Sequence, residues 1–313
     1  MVSRLAWETG RALADSLLDQ TGIDIELDSG PGLLFLMNSA RQQAVVDNIA
    51  RGLPDGFILE ILTPEEVATL EPSLTTEIVG GALLPGEHQV NPMFLAEAYK
   101  RAALAAGARM RHATLVDALH RQGDRVVGVN VAGELIECKT VVNAAGAWAG
   151  GLAATAGMTL PVEPIRGQVV LTEALSPLLT TCITTSSCYL AQKRHGEVLI
   201  GSTTEHVGFD TSVTEKGVGD LCRGAIAAVP SLKDVQVKRV WAGLRPGTPD
   251  ELPVLGPVEG VEGYINAAGG FRTGIVAAPL MARVAVQGLV GETPDFDVTP
   301  FLVSRFAKPS LPA

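Results

Sequence analysis

The sequence lacks the features that mark several classes of protein. Its 313 residues carry a formal charge of −10 and only 24 Lys and Arg. No basic cluster is present that could neutralise a nucleic-acid backbone. Aromatic residues make up 4% of the chain, too few for a base-stacking surface. No run of 18 apolar residues occurs, so we expect neither a nucleic-acid partner nor a transmembrane segment.

Metal-binding and disulfide patterns are also missing. The four cysteines, at 138, 182, 188 and 222, form no C-x-x-C pair, and the five histidines are scattered without metal-type spacing. We therefore predict no metal site. The N-terminus has the pattern of an amphipathic helix and no apolar signal core. A reduced, cytoplasmic location is expected, with peripheral contact at the inner face of the membrane left open.

Helix and strand signals alternate along the chain and predict a mixed α/β fold. Asn91 and Pro92 are a strong helix start, and Gly107 is a matching stop. Predicted helices cover residues 5–20, 64–71, 92–107, 214–229 and 275–290. Predicted strands cover residues 32–37, 113–120, 125–131 and 136–146, and β-rich segments dominate 160–260.

The tetrapeptide Asn-Ala-Ala-Gly occurs twice at the end of a predicted strand, at 143–146 and 266–269. Small residues there let a ligand approach the backbone closely, and a predicted helix follows each one. A dinucleotide or flavin crevice has this geometry. Tight packing of helix on strand would explain a single occurrence, whereas two occurrences favour a ligand crevice.

The stretch WAGLRPGTPDELPVLGP, residues 241–257, contains four prolines and three glycines. This composition predicts a stiff loop rather than a helix or a regular strand. It holds a single arginine, Arg245. The simplest interpretation is a surface turn with a solvated arginine, and the alternative is a cation fixed for a ligand.

Five ordered blocks resemble the FAD-dependent D-amino-acid oxidase family, in its glycine oxidase, sarcosine oxidase and D-amino-acid dehydrogenase branch. Together they extend over nearly the whole chain, which makes them far more specific than any one motif. The blocks are VVNAAGAWA (141–149), RGQVVLT (166–172), YLAQKRHGEVLIGSTTE (189–205), WAGLRPGTPDELPVLGP (241–257) and AAGGFRTGIVAAP (267–279).

The resemblance implies FAD as cofactor and a reaction in which hydride leaves the amine-bearing carbon for flavin N5. The resulting imine hydrolyses. It also implies two domains after an N-terminal helix at 1–22. A Rossmann-like FAD-binding domain would comprise 91–159 and 261–292. A substrate-binding domain, built on a mixed, largely antiparallel sheet, would comprise 23–90 and 160–260.

The resemblance implies a substrate site around Arg245, which matches the family's carboxylate-binding arginine. A planar guanidinium fixes both the direction and the charge of a carboxylate. Tyr189 and Arg272 match further substrate-site residues, although a core tyrosine and a salt-bridged arginine are the alternatives. Thr204 matches a variable pocket position. No residue is assigned as a catalytic acid or base.

For the cofactor, the resemblance points first to the loop over the flavin ring. This loop comprises Gly270, Phe271, Arg272, Thr273, Gly274, Ile275 and Val276. A helix beginning near Thr273 would direct its positive end at the ring and stabilise negative charge there. Val116, Gly146 and Gly243 match further cofactor contacts.

Two features depart from the family pattern. The strand, G-x-G-x-x-G and helix that cradle the FAD pyrophosphate are missing, since the two Gly-x-Gly pairs present lack the third glycine. We therefore expect a truncated FAD-binding domain and weak FAD binding if these residues are the whole protein. A late start, a truncated gene and a unit supplied by another chain remain open. The second departure is Gly270, where the family usually has histidine.

The leading hypothesis is an FAD-dependent oxidoreductase that acts on a small amine with a carboxylate, of D-amino-acid, glycine or D-hydroxyproline type. A second hypothesis is a flavoprotein subunit that depends on a redox partner and is inactive alone. A third is an α/β binding protein without redox chemistry. Co-purification with a partner would separate the first two, and a flavin spectrum would exclude the third.

Overall fold

The computed structural model describes residues 2–28, 32–51 and 58–307. Its helices are α1 Val2–Thr21, α2 Ala40–Arg51, α3 Pro64–Leu70, α4 Pro92–Ala105, α5 Ala149–Ala154, α6 Glu215–Ala228 and α7 Gly274–Val290. Its strands are β1 Leu33–Met37, β2 Glu60–Leu62, β3 Gly80–Leu84, β4 Ala118–Gln122, β5 Arg125–Val131, β6 Glu134–Glu137, β7 Val141–Asn143, β8 Glu163–Ala174, β9 Cys182–Thr184, β10 Tyr189–Gln192, β11 Glu197–Gly201, β12 Val237–Gly247, β13 Val254–Val258 and β14 Val261–Ala268.

The larger sheet has eight strands in the order β12-β8-β11-β10-β9-β1-β3-β2. All neighbours are antiparallel except β1 and β9, which are parallel. One face packs against α6, where Leu221 and Ala225 meet Val170, Leu190 and other buried residues. The prediction of a mixed α/β fold with a mixed, largely antiparallel sheet is confirmed.

The smaller sheet has six strands in the order β13-β14-β5-β4, with β6 beside β5 and β7 beside β14. Strand β14 runs parallel to β7, so that Asn266 lies opposite Asn143. The two Asn-Ala-Ala-Gly segments therefore leave the same edge of this sheet. Helix α7 packs on β13 and β14, and Tyr264 and Val254 are buried in the core beneath.

Local signals fix several helix ends where they were predicted. The Asn91 side chain accepts hydrogen bonds from the backbone N–H groups of Met93 and Phe94 at the start of α4. Thr63 and Glu66 form a capping box at the start of α3. The N-terminal helix extends over Val2–Thr21. Among the residues described, no helix is long and apolar enough to cross a membrane.

Three predictions about strands are wrong. Strand β4 starts at Ala118, five residues later than the strand predicted at 113–120. Residues 241–247 are the second half of β12 and pair with β8 along their whole length, with Pro246 opposite Pro164. A proline is tolerated here because β12 is the edge strand of its sheet. Residues 136–146 do not form one strand, because β6 ends at Glu137 and β7 starts at Val141 on a different neighbour.

The predicted domain boundaries remain predictions. Strands from 33–84 and 163–247 form the larger sheet, and strands from 118–143 and 254–268 form the smaller one. Strand β13, which the predicted boundaries place with the substrate domain, pairs with β14.

Candidate functional site

The site lies on the face of the larger sheet opposite α6. Residues directly opposite each other on neighbouring strands share a face. Gly243 on β12 faces Gly167 on β8, and Tyr189 on β10 faces Gly201 on β11. Arg245, two residues beyond Gly243, lies on this same face. Pairing therefore brings parts of three separate sequence blocks onto one surface.

Arg245 crosses the neighbouring strand at a glycine. Its guanidinium lies where a β-carbon of Gly167 would stand, so any side chain at 167 would overlap it. Beyond Gly167 the guanidinium donates hydrogen bonds to the Ser202 hydroxyl and, at 3.2 Å, to the Thr203 backbone carbonyl. The strand and these two acceptors together hold the arginine head in one position.

Arg245 has no acidic partner in the part of the chain that the structure describes. Within residues 2–28, 32–51 and 58–307, no Asp or Glu forms an ion pair with Arg245 or Arg272. Burial lowers the pKa of Arg245, the charge of Tyr189 raises it, and the charge of Arg272 lowers it. A half-buried cation near a second cation attracts an anion from outside. Among the described residues, Arg272 therefore forms no salt bridge, which was the alternative interpretation.

Tyr189 reaches the same spot from the other side. Its ring and hydroxyl occupy the position that a β-carbon on Gly201 would take. Burial raises the pKa of Tyr189, while Arg245 and a hydrogen bond with Ser202 lower it. The phenol therefore remains a protonated hydrogen-bond donor at neutral pH. Arg245, Tyr189 and Ser202 converge over strand β11.

Arg272 and Thr204 meet at the edge of this group. The Arg272 guanidinium donates to the Thr204 hydroxyl at 3.2 Å and lies 5.2 Å from the ring centre of Phe271. The Phe271 N–H donates to the Pro246 carbonyl at 3.2 Å. This bond fastens the loop 270–276 to strand β12, one residue beyond Arg245. The structure thus brings together all four residues predicted for the substrate.

The predicted flavin loop leads into the uncapped end of a long helix. The Thr273 side chain, just before α7, accepts no hydrogen bond from the N–H groups of its first turn, so the N-terminal positive dipole remains available. A β-carbon on Gly270 would lie 2.8 Å from the Cα of Gly274. This crowding favours glycine at 270 in this chain.

Two glycines near this loop have open space beside their backbone. A β-carbon added to Gly243 or to Gly146 would meet no atom within 4 Å. The turn Gly146–Trp148 packs against β12, which places it near the strand that carries Gly243. Val116 lies two residues before β4, in the other sheet. The open surface above the glycines and the uncapped helix end fit FAD.

Several contributors to the site carry no sequence signal that we recognised. Ser202 and Thr203 fix Arg245, and the glycines at 167 and 201 make room for Arg245 and Tyr189. Gly167 does lie in the RGQVVLT block, and Ser202 and Thr203 lie in the block ending at 205. Their roles depend on pairing between strands, which the sequence does not display.

The two repeated asparagines have a structural role. The Asn143 amide donates to the Tyr264 hydroxyl at 2.8 Å and to the Ala149 carbonyl at 2.9 Å. The Tyr264 hydroxyl donates to Asn266 at 3.0 Å. Burial raises the pKa of Tyr264 to about 12, against a lowering by the bond from Asn143. This buried chain joins the ends of β7 and β14.

Comparison with known proteins identifies the family of this chain. The family model DAO, FAD dependent oxidoreductase, matches residues 1–287. The chain is 42% identical to the hydrogen cyanide synthase subunit HcnC of Pseudomonas aeruginosa, over 93% of this chain and 70% of that protein. It is 34% identical to the glycine oxidase of the same organism, over 93% of this chain and 79% of that protein. The crystal structure of glycine oxidase from Geobacillus kaustophilus superposes with a TM-score of 0.92 and 32% identity, over 98% of this chain and 83% of that one. The chain therefore belongs to the DAO family of FAD-dependent oxidoreductases.

Proposed function

We propose that this FAD-dependent oxidoreductase oxidises the C–N bond of a small amino acid or secondary amine that carries a carboxylate. D-amino acids, glycine and D-hydroxyproline are substrates of this type. The observation that supports the proposal is Arg245. It is half-buried, held by Ser202 and Thr203, and has no carboxylate partner among the residues described. The substrate carboxylate would complete this ion pair.

The residues around Arg245 orient the substrate. The guanidinium fork donates hydrogen bonds to both carboxylate oxygens and so sets the direction of the Cα atom. The Tyr189 hydroxyl donates a further hydrogen bond from the neighbouring strand. Arg272 adds a second positive charge, which disfavours the ammonium form of a nearby amine. This charge favours the neutral amine, the form from which hydride leaves the adjacent carbon.

The loop 270–276, Gly146 and Gly243 would hold the cofactor, with Val116 on its adenine side. The chemistry that bound FAD supplies is acceptance of the hydride. The uncapped first turn of α7 would stabilise negative charge on the ring edge. Gly243 would leave its face of β12 free for close approach.

A substrate comparison with matched variants tests the carboxylate role. We expect FAD reduction under anaerobic conditions by glycine or D-alanine but much slower reduction by the corresponding amides. The variant Arg245→Met should lower kcat/KM for the carboxylates by about 100-fold, because it removes one partner of a desolvated charge pair. Arg239→Met is the control, since Arg239 lies on the same strand, is exposed and contacts Trp241.

Equal rates for carboxylates and amides in the wild-type enzyme would contradict the proposal. So would an Arg245→Met variant that oxidises carboxylated amines as efficiently as Arg239→Met does. Flavin content must be measured for each variant, so that loss of cofactor is separated from loss of substrate positioning.

A second candidate function is a flavoprotein subunit that works with a redox partner. HcnC, with 42% identity to this chain, is named as a subunit of hydrogen cyanide synthase. A neighbouring gene product that co-purifies with this chain and raises its rate of amine oxidation would support this candidate. Full activity of the isolated chain, with a mass equal to one copy, would exclude it.

A further inference from the structure

An apolar groove lies on the same sheet face as the candidate site, between the sheet and helix α2. Its volume is about 340 Å³, within the range of small-molecule sites. The sheet side is formed by Leu33, Phe35, Ala82, Leu84 and Thr184, and the helix side is formed largely by Val45, Val46 and Ile49. Hydrocarbon atoms make up nearly all of the lining, so the groove favours an apolar group and disfavours a charged one.

Strand register places one wall of the groove next to the substrate site. Thr184 on β9 lies directly opposite Tyr189 on β10. Phe35 on β1 lies directly opposite Thr184, and Ala82 on β3 lies opposite Phe35. Because neighbouring strands are about 4.8 Å apart, Phe35 lies about 10 Å from Tyr189 along one row of the sheet. The near wall of the groove is thus one strand from the tyrosine.

The Tyr189 side chain does not stand between the two regions. Its ring leans over Gly201 on β11, which is on the side of β10 away from Thr184. The Tyr189 ring therefore leaves Thr184, which lines the groove next to the site, uncovered on that side. The small threonine is half-buried.

We propose that this groove binds an apolar substituent of the amine substrate, so that carboxylated amines with a hydrocarbon chain or ring of several carbons bind more tightly than glycine or D-alanine. This inference rests on the proposed function, because the carboxylate at Arg245 fixes one end of the substrate. Arg245 provides charge recognition, and the groove provides size selection.

Simple carboxylates that cannot be oxidised test the groove without turnover. We would measure dissociation constants of acetate, butyrate, hexanoate and octanoate for the full chain by NMR titration. Once the alkyl chain is long enough to enter the groove, each added methylene should tighten binding about fourfold. Arg245→Met should weaken all four ligands.

The variant Val45→Trp should remove the gain with chain length and leave acetate binding unchanged. Val45 lines the groove, yet its side chain is 54% exposed, so a larger residue is tolerated by the fold. Val286→Trp on α7 is the matched control, because Val286 is 53% exposed and lies away from the groove. Ala82→Leu fills the groove from the sheet side and provides an independent variant.

Two outcomes would overturn the inference. One is affinity that does not change with chain length in the wild-type protein, or a gain that persists in both Val45→Trp and Ala82→Leu. The other is a change in molecular mass in Val45→Trp with the gain intact, which would make the groove a protein interface. In either case, the carboxylate proposal is tested separately by Arg245→Met. Loss of carboxylate binding in this variant would support that proposal, and retained binding would contradict it.

Discussion

Two arginines on paired strands have opposite surroundings. Arg166 on β8 donates to Glu205 at 3.1 Å and to Asp210 at 2.6 Å, and its side chain is 5% exposed. Arg245 on β12 lies beside it in register, opposite Ile165, and has no acidic partner among the described residues. Side chains alternate between the faces of a strand, so the two guanidinium groups lie on opposite sides of the sheet.

The difference separates a structural cation from a recognition cation. The carboxylates that neutralise Arg166 come from the chain itself, and Gln168 also donates to Glu205, at 2.8 Å. Among the described residues, the Arg245 guanidinium donates only to neutral acceptors, the Ser202 hydroxyl and the Thr203 carbonyl. A similar contrast holds for two tyrosines. Tyr264 is enclosed between two asparagines, whereas Tyr189 faces the site.

The largest expected effect is a difference in Tm between variants of the two arginines. Arg166→Met leaves Glu205 and Asp210 without their cation, so we expect the Tm to fall by roughly 5–10 °C. Arg245→Met leaves no carboxylate behind, and we expect a change in Tm of less than about 2 °C. Scanning calorimetry on both variants at pH 7 measures this. A larger loss for Arg245→Met would mean that the two arginines have the same structural role.

The buried Tyr264 predicts that the folded state loses stability at alkaline pH. Below pH 10, Tyr264 is protonated in both the folded and the unfolded state. Between pH 10 and the folded-state pKa of about 12, only the unfolded state loses the proton, so stability falls as pH rises. The contribution of Tyr264 to this fall is about 1.4 kcal/mol per pH unit.

Tyr264→Phe isolates this contribution. At pH 8 the variant should be less stable by about 1–3 kcal/mol, because Asn143 and Asn266 lose a buried partner. That deficit should shrink between pH 10 and 12, where only the wild type has the phenol. Urea unfolding at pH 8, 10, 11 and 12 measures the difference. A deficit that stays constant with pH would contradict the assigned pKa.

The smallest expected effect concerns the space that Arg245 uses. Gly167→Ala places a β-carbon against the guanidinium, and we expect KM for carboxylated substrates to rise about tenfold, by roughly 1.4 kcal/mol of lost binding. Gly151→Ala is the control, because a β-carbon there meets no atom within 4 Å. Similar KM values for the two variants would show that Arg245 does not depend on crossing at Gly167.

Much of the local structure follows from the sequence. Asn91 and Pro92 start α4 as predicted, and the helices around 64–70, 215–228 and 274–290 lie where the patterns indicated them. The segment 241–247 shows the limit of such reasoning. Its prolines and glycines predict a loop, but pairing with β8 at the sheet edge makes it a strand. Propensity describes the isolated segment, whereas the strand here is stabilised by its pairing with β8.

The candidate site divides in the same way. The resemblance names Arg245, Tyr189, Arg272 and Thr204, and their assigned roles remain predictions. It does not name the positions whose small size or hydroxyl makes the group fit together, such as Gly167, Gly201 and Ser202. These residues act through contacts between strands that are distant along the chain.

Caps, turns and ordered motifs are local or colinear signals, so the sequence was enough to predict several helix ends, the family and four of the residues at the candidate site. The tertiary structure alone decided which arginine is neutralised and which is left open. Arg166 and Arg245 have similar neighbours in the sequence, since each follows a branched apolar residue. Only strand register assigns them to opposite faces, and only the fold brings Glu205 and Asp210 to one of those faces and the apolar groove to the other.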